Sequence, residues 1–336
     1  MKGKRVSMQT IADMLNISKV TVFKAINNQP GVSEELRKKI IKLCNELGYD
    51  KWAGNSSKSS CNLAYIVPKR YFLENENFYS SIYYYLNKEC QREKIQLSLY
   101  IIDAHSEENC ILPSQVQASH FNGLLIGGEL NFPFLHALAK TKIPMVFIDF
   151  YISGFKSDCI VVDNYYVGYV ATNYLVEKGH RDIGFLGDPK QTTSISDRFF
   201  GYRKALFSHD LQYNKNWQIV NNDKITGYYH LDFDLPDKLP TAFICHCDMA
   251  AYFLMQKLSA YKIKVPDDVS IISFDNTQLS QDCNPPLTTI DISKKEFAKK
   301  ALSQMKTRLS EPNLPYQRGY IHTSLIERAS VKDLTK

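Results

Sequence analysis

Glycine is scarce in this chain, 15 residues in 336. There is no Gly-x-Ser-x-Gly elbow, no phosphate-cradling glycine loop and no His-Glu-x-x-His pair, so the common hydrolase, nucleotide and zinc-peptidase chemistries have no motif to rest on. Cysteine is present but not dense. Cys44, Cys61, Cys90, Cys110, Cys159, Cys245, Cys247 and Cys283 are scattered singly along a long chain, which excludes a disulfide-stapled secreted scaffold and predicts reduced thiols. No apolar run is long enough for a signal peptide or a membrane span, which predicts a cytoplasmic protein with no membrane partner. The expectation is a chain that is not an enzyme and needs no cofactor or metal.

With 44% apolar and 12% aromatic residues, the chain can bury a large core spread over two or more domains. Its net charge of +6 is unevenly placed: residues 1–60 carry 11 Lys and Arg against 5 Asp and Glu, and the other 276 carry 30 of each. A basic module on a neutral body suits binding of a phosphate backbone by one end of the molecule, although a solvated basic tail would give the same count.

The pattern within the basic segment is not that of a tail. Met8, Ile11, Ala12 and Leu15 recur at helical spacing, and Asn16-Ile17-Ser18 then breaks the run with a residue that tolerates a left-handed turn. Ser18 can cap a second helix over 19–27, with Val22, Ala25 and Ile26 inward and Lys19, Val20, Thr21 and Lys24 outward. A third helix begins at Ser33, with Glu34 and Glu35 in its first turn, and Gly48 ends it. Two short helices across a tight turn make a helix-turn-helix, whose second helix enters the major groove. A three-helix core with no role on nucleic acid is the bland alternative.

The run Ser7-Met8-Gln9-Thr10-Ile11-Ala12-Asp13, followed by Ile17-Ser18, Thr21-Val22, Asn27-Asn28, Val32-Ser33-Glu34-Glu35-Leu36-Arg37 and Glu46-Leu47-Gly48-Tyr49, resembles the head of the lactose-repressor (LacI/GalR) family. The resemblance continues through Gly179-His180-Arg181-Asp182-Ile183-Gly184, Asp197-Arg198-Phe199-Phe200-Gly201-Tyr202, Val265-Pro266-Asp267-Asp268-Val269-Ser270, Pro285-Pro286-Leu287-Thr288-Thr289-Ile290 and Leu325-Ile326-Glu327-Arg328. The candidate operator contacts are Thr10, Ser18, Lys19, Val20, Thr21, Lys24, Asn27 and Lys58. Lys24 replaces the Arg that most relatives use, and Phe23 stands where a small hydroxyl residue is usual.

Beyond residue 60, short β-branched or aromatic runs (62–67, 95–102, 123–126, 144–148, 159–162, 183–187, 242–247 and 269–274) alternate with amphipathic stretches. This is βαβ repetition around parallel sheets, too long for one comfortable core. The predicted fold is an α plus α/β chain: a three-helix helix-turn-helix head on a two-lobed, periplasmic-binding-protein-like body of doubly wound parallel sheets. The resemblance implies a head over 1–50, a linker over 51–60, a first lobe of 61–162 plus 291–320 and a second lobe of 163–290 plus 321–330. It also implies three crossovers, near 162, 291 and 320.

Several runs end in an acid, namely Asp149, Asp163, Asp188, Asp248 and Asp275, and the carboxyl ends of parallel strands border the ligand crevice. Carboxylates accept paired hydroxyls and Arg donates a planar fork, so a sugar would need both. The resemblance marks Arg198, Asp275 and Asp149 as effector contacts, with position 247 another and Asp248 beside it. Helix capping is the alternative for each acid, above all for Asp163 and Asp188. Relatives commonly carry Asn where this chain has Cys247. Cys245 and Cys247 would share one face of a strand with His246 opposite, and a buried thiol pair is expected there rather than a metal site.

The linker departs from the family most. Relatives carry a short hinge helix with an Ala and, three residues later, a Leu that wedges into the minor groove, and here Asn55 and Lys58 occupy those places amid Gly and Ser. Such residues favour helix poorly, and an ammonium makes no apolar wedge. The expected function is a nucleoid-associated, DNA-binding transcription regulator, a repressor of carbohydrate-uptake or catabolism genes that binds a palindromic operator as a homodimer and is controlled by a small effector, a sugar or sugar phosphate, held between the two lobes. A transport-type solute-binding protein would lack the head. A regulator answering to a protein partner or a non-sugar ligand would share it.

Overall fold

Ser7 opens the first helix of the computed structural model, which describes residues 7–26, 31–47, 61–72, 78–223 and 226–336. The chain divides into two units, Met1–Cys61 and Asn62–Lys336. In the first, α1 (Met8–Leu15) is held by a reciprocal cap: Thr10 N donates to Ser7 Oγ at 3.2 Å, and Ser7 N to Thr10 Oγ1 at 3.3 Å. Asn16 ends it at φ 52°, the left-handed turn its short polar side chain tolerates. Ser18 then caps α2 (Lys19–Ile26), accepting from Thr21 N at 3.0 Å, and Ser33 caps α3 (Glu34–Glu46), accepting from Leu36 N at 3.3 Å. Ile11, Ala12, Val22, Ala25, Ile26, Ile40 and Cys44 close a core shared by all three helices. Arg37 has a structural task in it: its Nη1 donates to Ala25 O at 3.0 Å, satisfying a carbonyl at the end of α2.

The second unit holds two six-stranded sheets. The first orders β2 (Gln96–Ile102), β1 (Asn62–Pro68), β3 (Gly123–Gly127), β4 (Met145–Ile148), β5 (Asp158–Val161) and β11 (Arg318–Tyr320), all parallel. The second orders β7 (Gln218–Ile219), β6 (Ile183–Leu186), β8 (Ala242–Cys245), β9 (Ser270–Asp275), β10 (Thr288–Ile292) and β12 (Thr323–Ile326), with β12 alone antiparallel. The central strands are buried on both faces, which is why they read as unbroken apolar runs rather than as alternation. All eight runs picked out in the sequence are strands. The run over 242–247 is shorter than expected, because the strand stops at Cys245 and Cys247 becomes the N-cap of the next helix. The two cysteines therefore do not share a strand face.

Helices α4 (Phe78–Arg92), α5 (Phe132–Lys140) and α10 (Lys294–Ser310) belong with the first sheet. Helices α6 (Asn164–Glu177), α7 (Thr193–Ser208), α8 (Asp248–Ala260) and α9 (Gln278–Asp282) belong with the second. The chain changes sheet three times: after β5, between β10 and α10, and between β11 and β12. Helices α6 and α7 press backbone to backbone. A Cβ on Gly168 would lie 2.3 Å from Arg198 O, and one on Gly201 would lie 2.0 Å from Tyr165 O, so both positions exclude a side chain and fix where Arg198 sits. Among the described residues, no helix is long and apolar enough to cross a membrane.

Candidate effector cleft and operator-reading head

In both sheets the strand order reverses beside the first strand of the lobe, β1 against β3 and β6 against β8, and ligands of open α/β sheets bind outside the carboxyl ends of strands at such points. A cavity of about 930 Å³ lies there between the lobes. From the first lobe it is lined by the turn after β1 (Lys69 to Phe72), Phe78 and Tyr79 of α4, and Asp149 just past β4. From the second it is lined by Arg198, His246, Cys247 and Asp275, and by a group of aromatics at Tyr228, Tyr229, Tyr252 and Phe253. The lobes are tied at its rim, where Glu129 Oε2 accepts from Thr193 N at 2.8 Å and Tyr151 OH donates to Asp197 Oδ2 at 3.0 Å.

Arg198 is buried and well supported. Its Nε donates to Asn164 Oδ1 at 2.8 Å, Nη1 donates to His246 O, Nη2 stands 3.7 Å from Asp275 Oδ1, and the guanidinium lies 4.6 Å over the Phe274 ring. Asp275 at the end of β9 holds φ 103°, and Asp149 beyond β4 holds φ 70°. Aspartate tolerates this region better than most residues, and such backbone settings concentrate at ligand sites. Asp149 Oδ2 accepts from Tyr79 OH at 2.9 Å, whereas Oδ1 is buried with no hydrogen-bond partner in the protein. Burial pushes the Asp149 carboxyl up to about 6, against the pull of Arg198 and the Tyr79 hydroxyl.

Cys247 lines the cavity from the N-cap of α8: its Sγ accepts from Ala250 N at 3.4 Å and lies 3.0 Å from Tyr229 OH. Asp248 is a correction to the sequence reading. It is 1% exposed and does not line the cavity, because Oδ1 accepts from Ser273 Oγ at 2.6 Å and Thr289 Oγ1 at 2.9 Å, while Oδ2 accepts from Thr277 N at 2.7 Å and Thr277 Oγ1 at 2.8 Å. Both oxygens are spent on holding α8, β9 and β10 together. Asp163 caps α6 through Tyr166 N at 3.0 Å, the role given as its alternative, whereas Asp188 caps no helix: it accepts from Lys190 N at 2.9 Å in a tight turn, and Thr192 caps α7.

Sequence reasoning missed His246 and the aromatic walls. His246 Nδ1 lies 3.1 Å from Leu186 O, so that nitrogen carries the proton and Nε2 accepts from Tyr229 OH at 3.2 Å. Burial pushes the imidazole down to about 4, keeping it neutral. Tyr229 stacks on both His246 and Phe253, while Tyr79 packs against Tyr71 and Phe78 across the cleft. The available signal was the adjacent aromatic pairs 71–72, 78–79, 228–229 and 252–253.

In the head, Lys19 and Val20 are exposed at the start of α2, and Thr21 and Lys24 are half-exposed. The Ser18 and Thr21 hydroxyls meet at 2.8 Å, and Thr10 is exposed with its hydroxyl in the α1 cap. Asn27, Gly48 and Lys58, with the whole linker, lie outside the described residues.

Residues 7–51 match the family model described as bacterial regulatory proteins, lacI family, and residues 172–331 match that of the periplasmic binding protein-like domain. The HTH-type transcriptional repressor PurR of Histophilus somni (strain 2336) is 29% identical, over 98% of this chain and 99% of its own. Among solved structures, a transcriptional regulator CelR–cellobiose complex superposes with TM-score 0.70 at 21% identity, covering 97% of this chain and 100% of that one. The lac repressor dimer bound to operator and the anti-inducer ONPF gives TM-score 0.66 at 19% identity, covering 98% and 100%. A lacI-family helix-turn-helix regulatory domain over residues 7–51, joined to a periplasmic-binding-protein-like domain over residues 172–331, gives the chain the layout of a lacI-family DNA-binding transcriptional regulator.

Proposed function

We propose that this regulator acts in the cytoplasm as a homodimeric repressor on a palindromic operator, and that a neutral, polyhydroxylated ring compound of the carbohydrate class is its effector. The observation that carries this reading is Asp149 on the cavity wall, a carboxylate whose buried Oδ1 has no partner in the protein, with Arg198 and Asp275 supplied by the other lobe. An unsatisfied buried acceptor is costly until a donor arrives, and a ligand hydroxyl is such a donor. Both guanidiniums on the wall are already matched to carboxylates, Arg198 to Asp275 and Arg70 to Glu107 at 3.1 Å, which favours a neutral sugar over a sugar phosphate. The aromatic walls suit the C–H faces of a pyranose. A cavity of about 930 Å³ has room for roughly thirty waters, more than one sugar ring fills, so a disaccharide fits better than a monosaccharide. The same walls favour a second reading, a planar heteroaromatic ring stacked between them.

Asp149, Arg198, Asp275 and Cys247 are assigned to the effector, and Thr10, Ser18, Lys19, Val20, Thr21 and Lys24 to the operator. An effector between two lobes alters DNA affinity only by binding one arrangement of them better than another, with a coupling on the order of 1–3 kcal/mol. A thermal-shift screen of neutral sugars, sugar phosphates and heteroaromatic bases with the full chain tests the assignment. A rise in melting temperature with a neutral sugar, smaller in Asp149→Asn, is expected. A rise confined to bases or phosphates would overturn it. Removal of residues 1–60 is expected to abolish operator binding and leave a folded dimeric body, as gel shift and sedimentation would report.

A further inference from the structure

We infer that α2 reads thymine through its 5-methyl group, using Val20 and Phe23 as an apolar contact. Three apolar side chains of this helix, Val22, Ala25 and Ile26, are already consumed by the head's core. Val20, 61% exposed, and Phe23, 40% exposed, point elsewhere. They are three positions apart, so they share one face, and that face is bounded by exposed Lys19 and half-exposed Lys24. An apolar pair framed by lysines at the start of a reading helix matches a groove that has a phosphate rim and a methyl-bearing floor. In the major groove of DNA only thymine presents a methyl group.

The polar groups beside this pair are occupied. Ser18 Oγ accepts from Thr21 N at 3.0 Å and lies 2.8 Å from Thr21 Oγ1, so these hydroxyls secure the first turn of α2. Among the described outward residues of α2, the lysines suit guanine or phosphate and the apolar pair suits a methyl group. Each half of the operator should therefore carry thymine where Val20 and Phe23 dock, and should discriminate against cytosine there by the missing methyl as much as by any hydrogen bond. This rests on the assignment of α2 to the major groove.

The test begins with duplexes selected from a random library by the full-length chain, in which each thymine is then replaced singly by deoxyuridine. That change removes a methyl group and leaves base pairing intact. Burial of one methyl on an apolar surface is worth about fourfold in affinity. The expected result is a loss of about fourfold or more at one or two positions per half-site. The loss should shrink below twofold in Val20→Ala or Phe23→Ala, and 5-methylcytosine should be preferred over cytosine at the same positions. Val20→Ala is a safe variant, since the side chain is exposed and Ala favours helix more than Val. Circular dichroism of both variants checks that the head is folded. The inference is overturned if no deoxyuridine costs more than twofold, or if the cost is undiminished in both variants.

Discussion

Asp149 follows β4 in the first lobe and Asp248 follows β8 in the second, two acids past the carboxyl ends of parallel strands that read alike in the sequence. Their surroundings separate them. Asp248 has four donors from Ser273, Thr277 and Thr289 and sits behind the cavity wall. Asp149 lines the cavity and has one side-chain donor, from Tyr79, which leaves its other oxygen buried without a partner. A strand end brings an acid to the neighbourhood of a ligand, and the supply of internal donors decides whether it is available to one.

The same substitution should therefore have opposite effects at the two places. Asp248→Asn would aim an amide N–H group at hydroxyls and an N–H that need an acceptor, and should destabilise the body by about 4 kcal/mol in urea denaturation. Unchanged stability would erase the contrast. Asp149→Asn should instead stabilise the ligand-free chain near neutral pH, because it removes a buried charge. The Asp149 carboxyl is raised from 3.8 to about 6 in the folded state, so its contribution is fully present below 3.8 and is lost as pH rises through 6, a swing of about 3 kcal/mol. The advantage of the Asn variant should shrink as pH falls from 7 to 4. His246 runs the other way: lowered from 6.5 to about 4, it contributes stability above 6.5 that is lost as pH falls through 4. The difference between the two chains, rather than either melting profile alone, isolates Asp149.

Two smaller effects sharpen the comparison at the ligand. Arg198→Ala should lower effector affinity about a hundredfold by calorimetry and leave operator binding intact, since Asp275 and the His246 carbonyl lose their donor. Retained affinity would remove Arg198 from the site. Effector affinity of the unmodified chain should fall about tenfold between pH 7.5 and 5, because a protonated Asp149 surrenders acceptor capacity. In Asp149→Asn that dependence should vanish.

Much of this was legible from residue order, for identifiable reasons. Helical spacing at Ile11, Ala12, Val22 and Ala25, with caps at Ser18 and Ser33, is local chemistry and stands in the head as read. The buried strands announced themselves as apolar runs. The short edge strands β7, β11 and β12 did not, since two to four partly polar residues take their conformation from a neighbour in the sheet. At the cleft, Arg198 and Asp275 could be marked by motif. The saturation of Asp248 depends on residues up to 41 positions away, and the role of His246 depends on Leu186 and Tyr229, partners that only the folded chain assembles.

The three passages between sheets also set an order of completion during synthesis. The last described helix of the head ends at Glu46, but the first sheet lacks an edge until Arg318–Tyr320 pairs with β5, and the second until Thr323–Ile326 pairs with β10. At typical elongation rates that interval is on the order of half a minute, during which a finished DNA-reading module trails an unfinished sensor. A message cut short anywhere between them yields a protein with a complete head and no closed cleft. Frameshifts late in the gene should thus behave unlike early ones: such products would be deaf to the effector and reliant on proteolysis for their removal from the operator.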